Sequence, residues 1–192
     1  MNLLEEQFIE NLIIEHLKIL NLVKSDYISE IKLISEEISE AVKNKSTIFF
    51  CGNGGSAADS QHLSAELIGR FEKERKPLKA IALTVDSSIL TCISNDYSFD
   101  QIFSRQIEAL AKPNDILVAL STSGKSMNII NAVNMAKSKG LKTIALLGKD
   151  GGLVKNIVDI KIIIPSYSTA RIQEMHILIG HIICSVVDKE IC

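Results

Sequence analysis

Three places in this sequence hold residue types whose chemistry exceeds what folding alone requires. The first is CGNGGSAADSQH, 51–62, at the end of the apolar run TIFFC. Gly52, Gly54 and Gly55 permit backbone conformations and close approach that a side chain blocks, and Asn53 and Ser56 offer hydrogen bonds. The pattern fits a dinucleotide fingerprint only loosely, because the third glycine is out of place and no acidic residue closes the following strand. A tight strand-to-helix turn and a ligand loop both account for it. The second place is STSGKS, 121–126, with four hydroxyls and a glycine at the start of a helical pattern. Unpaired amides at a helix N-terminus, the helix dipole and extra hydroxyl donors together make an anion site. The P-loop spacing is absent, so a sugar phosphate suits this loop better than a nucleoside triphosphate.

The third place is a set of acid/base groups on helical segments. His62 and Glu66 are four residues apart, about 40° around one helix face. Their helix starts at the first loop, so both side chains are expected near the strand ends. A surface His–Glu pair is the plainer account of the same spacing. Gln173 and His181 are eight apart, about 80° around the axis. His181 sits in the apolar stretch HILIGHIICSVV, where burial disfavours a charged imidazole and leaves a neutral one. A core histidine bonded to a carbonyl is the alternative for His181. His176 lies about 140° from His181 and points elsewhere, and His16 on the first helix carries no assigned role.

Elements must hold these groups in place. Leu4, Phe8, Leu12, Leu17 and Leu20, widened by Ile9, Ile13 and Ile14, predict a helix over residues 3 to about 24. Ser25 and Asp26 supply N-cap chemistry for a second helix to about 44. Residues 1–45 therefore read as a helical hairpin within one domain spanning 1–192. From residue 47 five β-rich runs follow: TIFFC, AIALT (80–84), ILVAL (116–120), TIALL (143–147) and IKIII (160–164). Helical patterns at 56–70, 86–94, 99–111, 126–139 and about 168–190 separate or follow them, with Asn95 and Asp96 in a loop before the 99–111 helix. Continuous apolar strands alternating with helices imply a parallel sheet covered on both faces, a doubly wound, flavodoxin-like αβα sandwich. Ligands in such folds bind at the carboxyl ends of the strands.

The 192 residues are 46% apolar and 23% charged, which excludes wholesale disorder. A mean hydropathy of +0.21 calls for doubly covered strands and a sizeable subunit interface. A net charge of −2 gives no bulk attraction to nucleic acid or an anionic membrane. No run of consecutive apolar residues approaches the roughly 18 that a membrane span needs. The acidic residues within MNLLEEQFIENLIIEH argue against a signal peptide. Cys51, Cys92, Cys184 and Cys192 show no CxxC spacing, which fits a reduced, cytoplasmic setting.

CGNGGS, then H-x3-E, ND at 95–96, STSG-x-S, GKDGG at 148–152 and ARIQE-x-H at 170–176 with a further His181 occur in order along nearly the whole chain. Together they resemble the sugar-isomerase (SIS) domain proteins and, within them, the phosphoheptose isomerase family. That resemblance implies a three-layer αβα sandwich with a five-stranded parallel sheet, preceded by a helical hairpin. It also implies a homotetramer with active sites lined by more than one subunit. The implied reaction converts D-sedoheptulose 7-phosphate to D-glycero-D-manno-heptose 7-phosphate through an enediol, at the start of nucleotide-heptose biosynthesis for lipopolysaccharide or capsule. By the same resemblance Asn53, Gly54, Gly55, Ser56, Asn95, Asp96, Glu66 and Gln173 contact substrate, while Ser121, Thr122, Ser123 and Ser126 hold the phosphate. Glu66 is the implied general base and His181 the general acid. Zinc is the implied cofactor, with His62, Glu66, Gln173 and His181 as ligands. A carboxylate and an imidazole suit the two proton transfers of a ketose–aldose isomerisation. The competing expectations are a non-catalytic tetramer of the same fold that binds the replication initiator, and another sugar-phosphate isomerase or sugar-phosphate-binding regulator. The scaffold relative lacks the acid/base pair, which this chain keeps at Glu66 and His181.

Overall fold

Two helices, α1 (Leu3–Asp26) and α2 (Ile28–Lys43), lead into an alternation of strands and helices. The order continues β1 (Ile48–Gly52), α3 (Gly55–Ile68), β2 (Ala80–Ala82), α4 (Ser87–Asp96), α5 (Ser104–Leu110), β3 (Ile116–Ser121), α6 (Met127–Ser138), β4 (Lys142–Gly148), β5 (Ile160–Ile164) and α7 (Thr169–Ile191). The structure is a computed structural model and describes residues 3–192.

The five strands form one all-parallel sheet in the order β2-β1-β3-β4-β5. Every residue of β1 and β3 is buried, which explains why those runs are apolar without alternation. Side chains still alternate between two cores. Ile48, Phe50, Ile116, Val118 and Leu120 face α2, α3 and α7, while Phe49, Cys51, Leu117 and Ala119 face α5 and α6. The expected αβα sandwich is thus the observed one.

Helix α7 buries a stripe from Ile172 through Met175, Ile179 and Ile183 to Val187. At 23 residues it has the length and mean hydropathy of a membrane span, although its apolar residues are interrupted by polar ones and its stripe is buried on the sheet. Helices α3 and α7 run side by side in the same direction. Gly55 meets the Gln173 side chain at one end, and Gly180 meets Leu63 about two turns further along.

Three expectations about element ends are corrected. Ser25 and Asp26 do not cap α2. They are the last residues of α1, where the Ser25 hydroxyl donates to the Leu22 carbonyl at 3.2 Å. The break falls at Tyr27, whose hydroxyl donates to the Ile163 carbonyl at 2.6 Å and fixes the corner on β5. Asn95 and Asp96 lie in the last turn of α4 rather than in a loop. The helix expected over 99–111 divides into a 3-10 turn, Phe99–Gln101, and the short α5, and the fully extended Ser98 sets where that segment starts.

The two halves of α1 differ. Ile19 and Val23 are buried, whereas Leu4, Phe8, Ile9, Leu12, Ile13, Ile14 and Leu17 are exposed. The helix is tied to α7 by His16, whose Nδ1 is 2.7 Å from Glu174 Oε2, and by Arg171, which donates to the Leu12 carbonyl at 2.7 Å.

Candidate active site

The chain leaves β1 toward β2 on one side, while β3 pairs with β1 on the other. That reversal opens a crevice at the carboxyl ends of β1 and β3, where ligands bind in open α/β sheets. Both singled-out loops end there. After β1 the backbone turns through Gly54, at φ +57°, which precedes the first residue of α3. A Cβ at Gly55 would collide with the Gln173 amide. Ser56 is buried in the first turn of α3, its amide bonded to the Asn53 carbonyl at 3.0 Å. Asn53 forms a reciprocal amide pair with Asn128 of α6, each Nδ2 donating to the other's Oδ1 at 2.9 Å. This pair joins the two loops.

After β3, the buried Ser121 hydroxyl accepts from the Gly124 amide at 3.0 Å and Ser123 Oγ accepts from the Lys125 amide at 3.3 Å. Gly124, at φ +61°, lies directly against the backbone of Gly151 and Gly152 in the turn after β4. Its carbonyl accepts from the Leu153 and Val154 amides at 2.9 and 3.1 Å. Thr122, Ser123 and Ser126 stay half-exposed, and Ser126 occupies the α6 N-cap without using its hydroxyl there. The Ile129 and Ile130 amides already donate to the Ser126 carbonyl at 3.1 Å, so it is the amides of Met127 and Asn128, ahead of them, that the loop presents with three half-exposed hydroxyls.

The acid/base residues converge between α3 and α7. His62 Nε2 is 3.0 Å from Glu66 Oε1 and 3.3 Å from His181 Nε2. The two imidazoles meet edge to face, and Phe71 stacks on His181 with centroids 5.6 Å apart. His62 is exposed and Glu66 and His181 half-exposed. Burial of His181 was expected, and the buried histidine is instead His176. Its Nε2 contacts the Leu147 carbonyl at 3.0 Å, and burial pushes its pKa down to about 4. Burial also raises the carboxyl of Asp59, one turn before His62, with the His62 charge opposing it.

Other singled-out residues stand apart from this cluster. Gln173 is about 12 Å along α7 from His181, and its amide lies against Gly55. Asn95 donates to Asp96 at 2.8 Å on exposed α4, and among the described residues neither bonds to the two loops. Glu66 is eleven positions beyond Gly55, a rise of about 16 Å that carries it away from the strand ends where it was expected.

The model of the SIS domain matches residues 14–148. Phosphoheptose isomerase of a Nitratiruptor species is 52% identical over 183 residues, covering 95% of this chain and 98% of the relative. That of Clostridium acetobutylicum is 53% identical over 165 residues, covering 86% and 84%. This chain belongs to the SIS domain family, among the phosphoheptose isomerases. The solved phosphoheptose isomerase GmhA of Neisseria gonorrhoeae superposes with a TM-score of 0.91 at 38% identity, over 96% of this chain and 98% of that one. The Francisella tularensis phosphoheptose isomerase gives 0.93 at 36%, over 98% and 100%.

Within this phosphoheptose isomerase fold, His62, Glu66 and His181 form a set able to hold a metal ion, their ligand atoms all within 4.8 Å of one another. The 3.3 Å between the two imidazole nitrogens matches the edge of a tetrahedron with metal–nitrogen bonds of about 2.0–2.1 Å. His62 Nε2 faces a carboxylate oxygen and a second imidazole nitrogen at once, and one N–H cannot serve both in full. A shared cation satisfies all three lone pairs.

Proposed function

We propose that this protein interconverts D-sedoheptulose 7-phosphate and D-glycero-D-manno-heptose 7-phosphate in heptose biosynthesis. The observation that carries this is the meeting of the Glu66 carboxylate with the His62 and His181 imidazoles. Isomerisation moves one proton between neighbouring carbons and another between their oxygens. Glu66 takes the proton from C1 and returns it to C2. His181 protonates the C2 oxygen and withdraws the proton from the C1 oxygen. Thr122, Ser123, Ser126 and the first amides of α6 hold the 7-phosphate, with Ser121 shaping their loop. Asn53, Gly54, Gly55, Ser56, Asn95, Asp96 and Gln173 contact the sugar.

The metal in this reading is zinc, held by His62, Glu66 and His181, while Gln173, about 12 Å along α7 from His181, joins as a weaker amide ligand only across an interface with a second copy. Bound there, it supplies Lewis-acid polarisation of the carbonyl and stabilises the charge of the enediolate. The working enzyme is a homotetramer with sites lined by more than one subunit. Two features support that assembly. One is the exposed apolar face of α1. The other is the rise of about 16 Å along α3 between Gly55 and Glu66, which a loop from a second copy shortens.

The test is product formation from sedoheptulose 7-phosphate by metal-analysed protein, before and after chelation, with the assembly followed by sedimentation. Turnover that falls with zinc content and returns with zinc is the expected result. An assembled, zinc-loaded protein with no turnover would leave the scaffold account in its place.

A further inference from the structure

Arg75 lies in the charge-rich segment EKERK, which reads in sequence as a solvated run. In the structure its side chain is only 3% exposed and that of Asp188, on the last turns of α7, 1%. Arg75 Nε donates to Asp188 Oδ1 at 2.6 Å. The rest of the guanidinium donates to the carbonyls of Glu66 at 2.8 Å and Leu67 at 2.9 Å, closing the C-terminal turn of α3. The second carboxylate oxygen of Asp188 accepts from the amides of Glu72 and Lys73, at 2.9 and 3.1 Å. Those amides directly follow Phe71, the ring stacked on His181. Burial opposes ionisation of Asp188, but the bonds from Arg75, Lys73 and Glu72 outweigh it and hold the carboxyl below its ordinary range.

One buried pair therefore grips three things: the backbone of Glu66 itself, the loop that seats Phe71 on His181, and the helix that carries His181. We propose that Arg75 and Asp188 are positioning residues, which with Phe71 fix the Glu66 carboxylate and the His181 imidazole relative to each other. This rests on the reading that Glu66 and His181 exchange protons with the sugar. The Arg75 and Asp188 side chains are almost wholly buried, which keeps them from direct contact with a sugar. Their bonds reach the proton-transfer groups and leave the 121–126 loop alone. Their loss should therefore appear in turnover and not in substrate binding.

The experiment compares Arg75→Lys, Phe71→Leu and Phe71→Tyr in zinc-loaded, assembled protein, with Glu66→Gln as reference. Arg75→Lys keeps the charge but cannot reach Asp188 and both carbonyls together. It should lower kcat by about 10- to 100-fold, the scale of a small misplacement, with KM changed less than about threefold. Phe71→Leu, a smaller apolar side chain at a half-buried position packed against the core, should lower kcat about tenfold in protein whose melting temperature shows it folded, and Phe71→Tyr should restore it. In a Glu66→Gln background Arg75→Lys should add less than about threefold, because residues acting through one group are not additive. A lowered melting temperature with wild-type kcat in Arg75→Lys and Phe71→Leu would overturn the proposal, as would losses that multiply with that of Glu66→Gln. Wild-type turnover in Glu66→Gln would instead remove the underlying acid/base reading.

Discussion

The bonds that shape the 121–126 loop run between residues two or three apart, or to the neighbouring turn at 151–154. His62 and His181 meet across 119 residues of chain, and the pair that braces them spans 113. One region is a local backbone device whose geometry is set once β3, α6 and the β4 turn exist. The other depends on how two helices lie against each other over their whole length. On the proposed reading, binding and proton transfer are therefore separable in this fold. Damage to the loop should read out in KM, and damage between α3 and α7 in kcat.

Glu66→Gln is the largest test of that separation. A positioned proton-transfer group is worth about 10²–10⁴-fold, so kcat should fall by that factor with KM nearly unchanged. Steady-state kinetics on assembled protein check it, and a matching rise in KM would break the division. The second test concerns the scaffold of the cluster. His176 has a folded pKa of about 4 against an ordinary 6.5, because burial disfavours its charged form. The unfolded chain binds that proton more readily. Stability from this residue is thus complete above pH 6.5 and is lost as pH falls toward 4, by roughly 3 kcal/mol over the interval. Urea unfolding at pH 7 and pH 4.5 should show the drop, and His176→Gln, which keeps a donor to the Leu147 carbonyl, should flatten it. An equal slope in both proteins would show that α7 is anchored otherwise.

Smaller effects belong to the loop. Ser123→Ala should raise KM by about ten- to a hundredfold, the worth of a charge-assisted hydrogen bond at roughly 1.5–3 kcal/mol, with kcat held. A fall in kcat at constant KM would erase the contrast between the regions. Smallest is Ser121→Ala. Its buried hydroxyl serves the Gly124 amide, so thermal unfolding should report a loss of about 1 kcal/mol and KM should rise less than in Ser123→Ala.

The same contrast explains what could be read from the sequence. STSGKS is contiguous, and a helix N-terminus needs no distant partner, so the helix start at Ser126 and its neighbouring hydroxyls showed in six letters. The His62–Glu66 contact followed from the helical repeat alone. That His181 joins them did not: local hydropathy favoured burying it, yet packing of α7 on the sheet buried His176 and left His181 in the cluster with His62. Helix ends were lost where tertiary bonds overruled local caps, as when the Tyr27 hydroxyl set the α1–α2 corner that Ser25 and Asp26 suggested two residues earlier. Asn128, Phe71, Arg75 and Asp188 gave no signal, because their partners lie 75 to 113 residues away and carry no recognisable spacing.

The attachment of α1 also has a consequence for synthesis. Its ties are to Arg171 and Glu174, 158 to 159 residues later in the chain. At about 5–20 residues per second, translation leaves α1 without that docking surface for roughly 8–30 s. Throughout that interval Ile19 and Val23, buried in the folded chain, lack α7 to pack on and are open to chaperones and to other nascent chains, while Leu4, Phe8 and Leu12 are exposed before docking as after it. Ribosome-bound fragments that stop short of Arg171 should therefore have a protease-sensitive α1, and release of the full chain should protect its second half first.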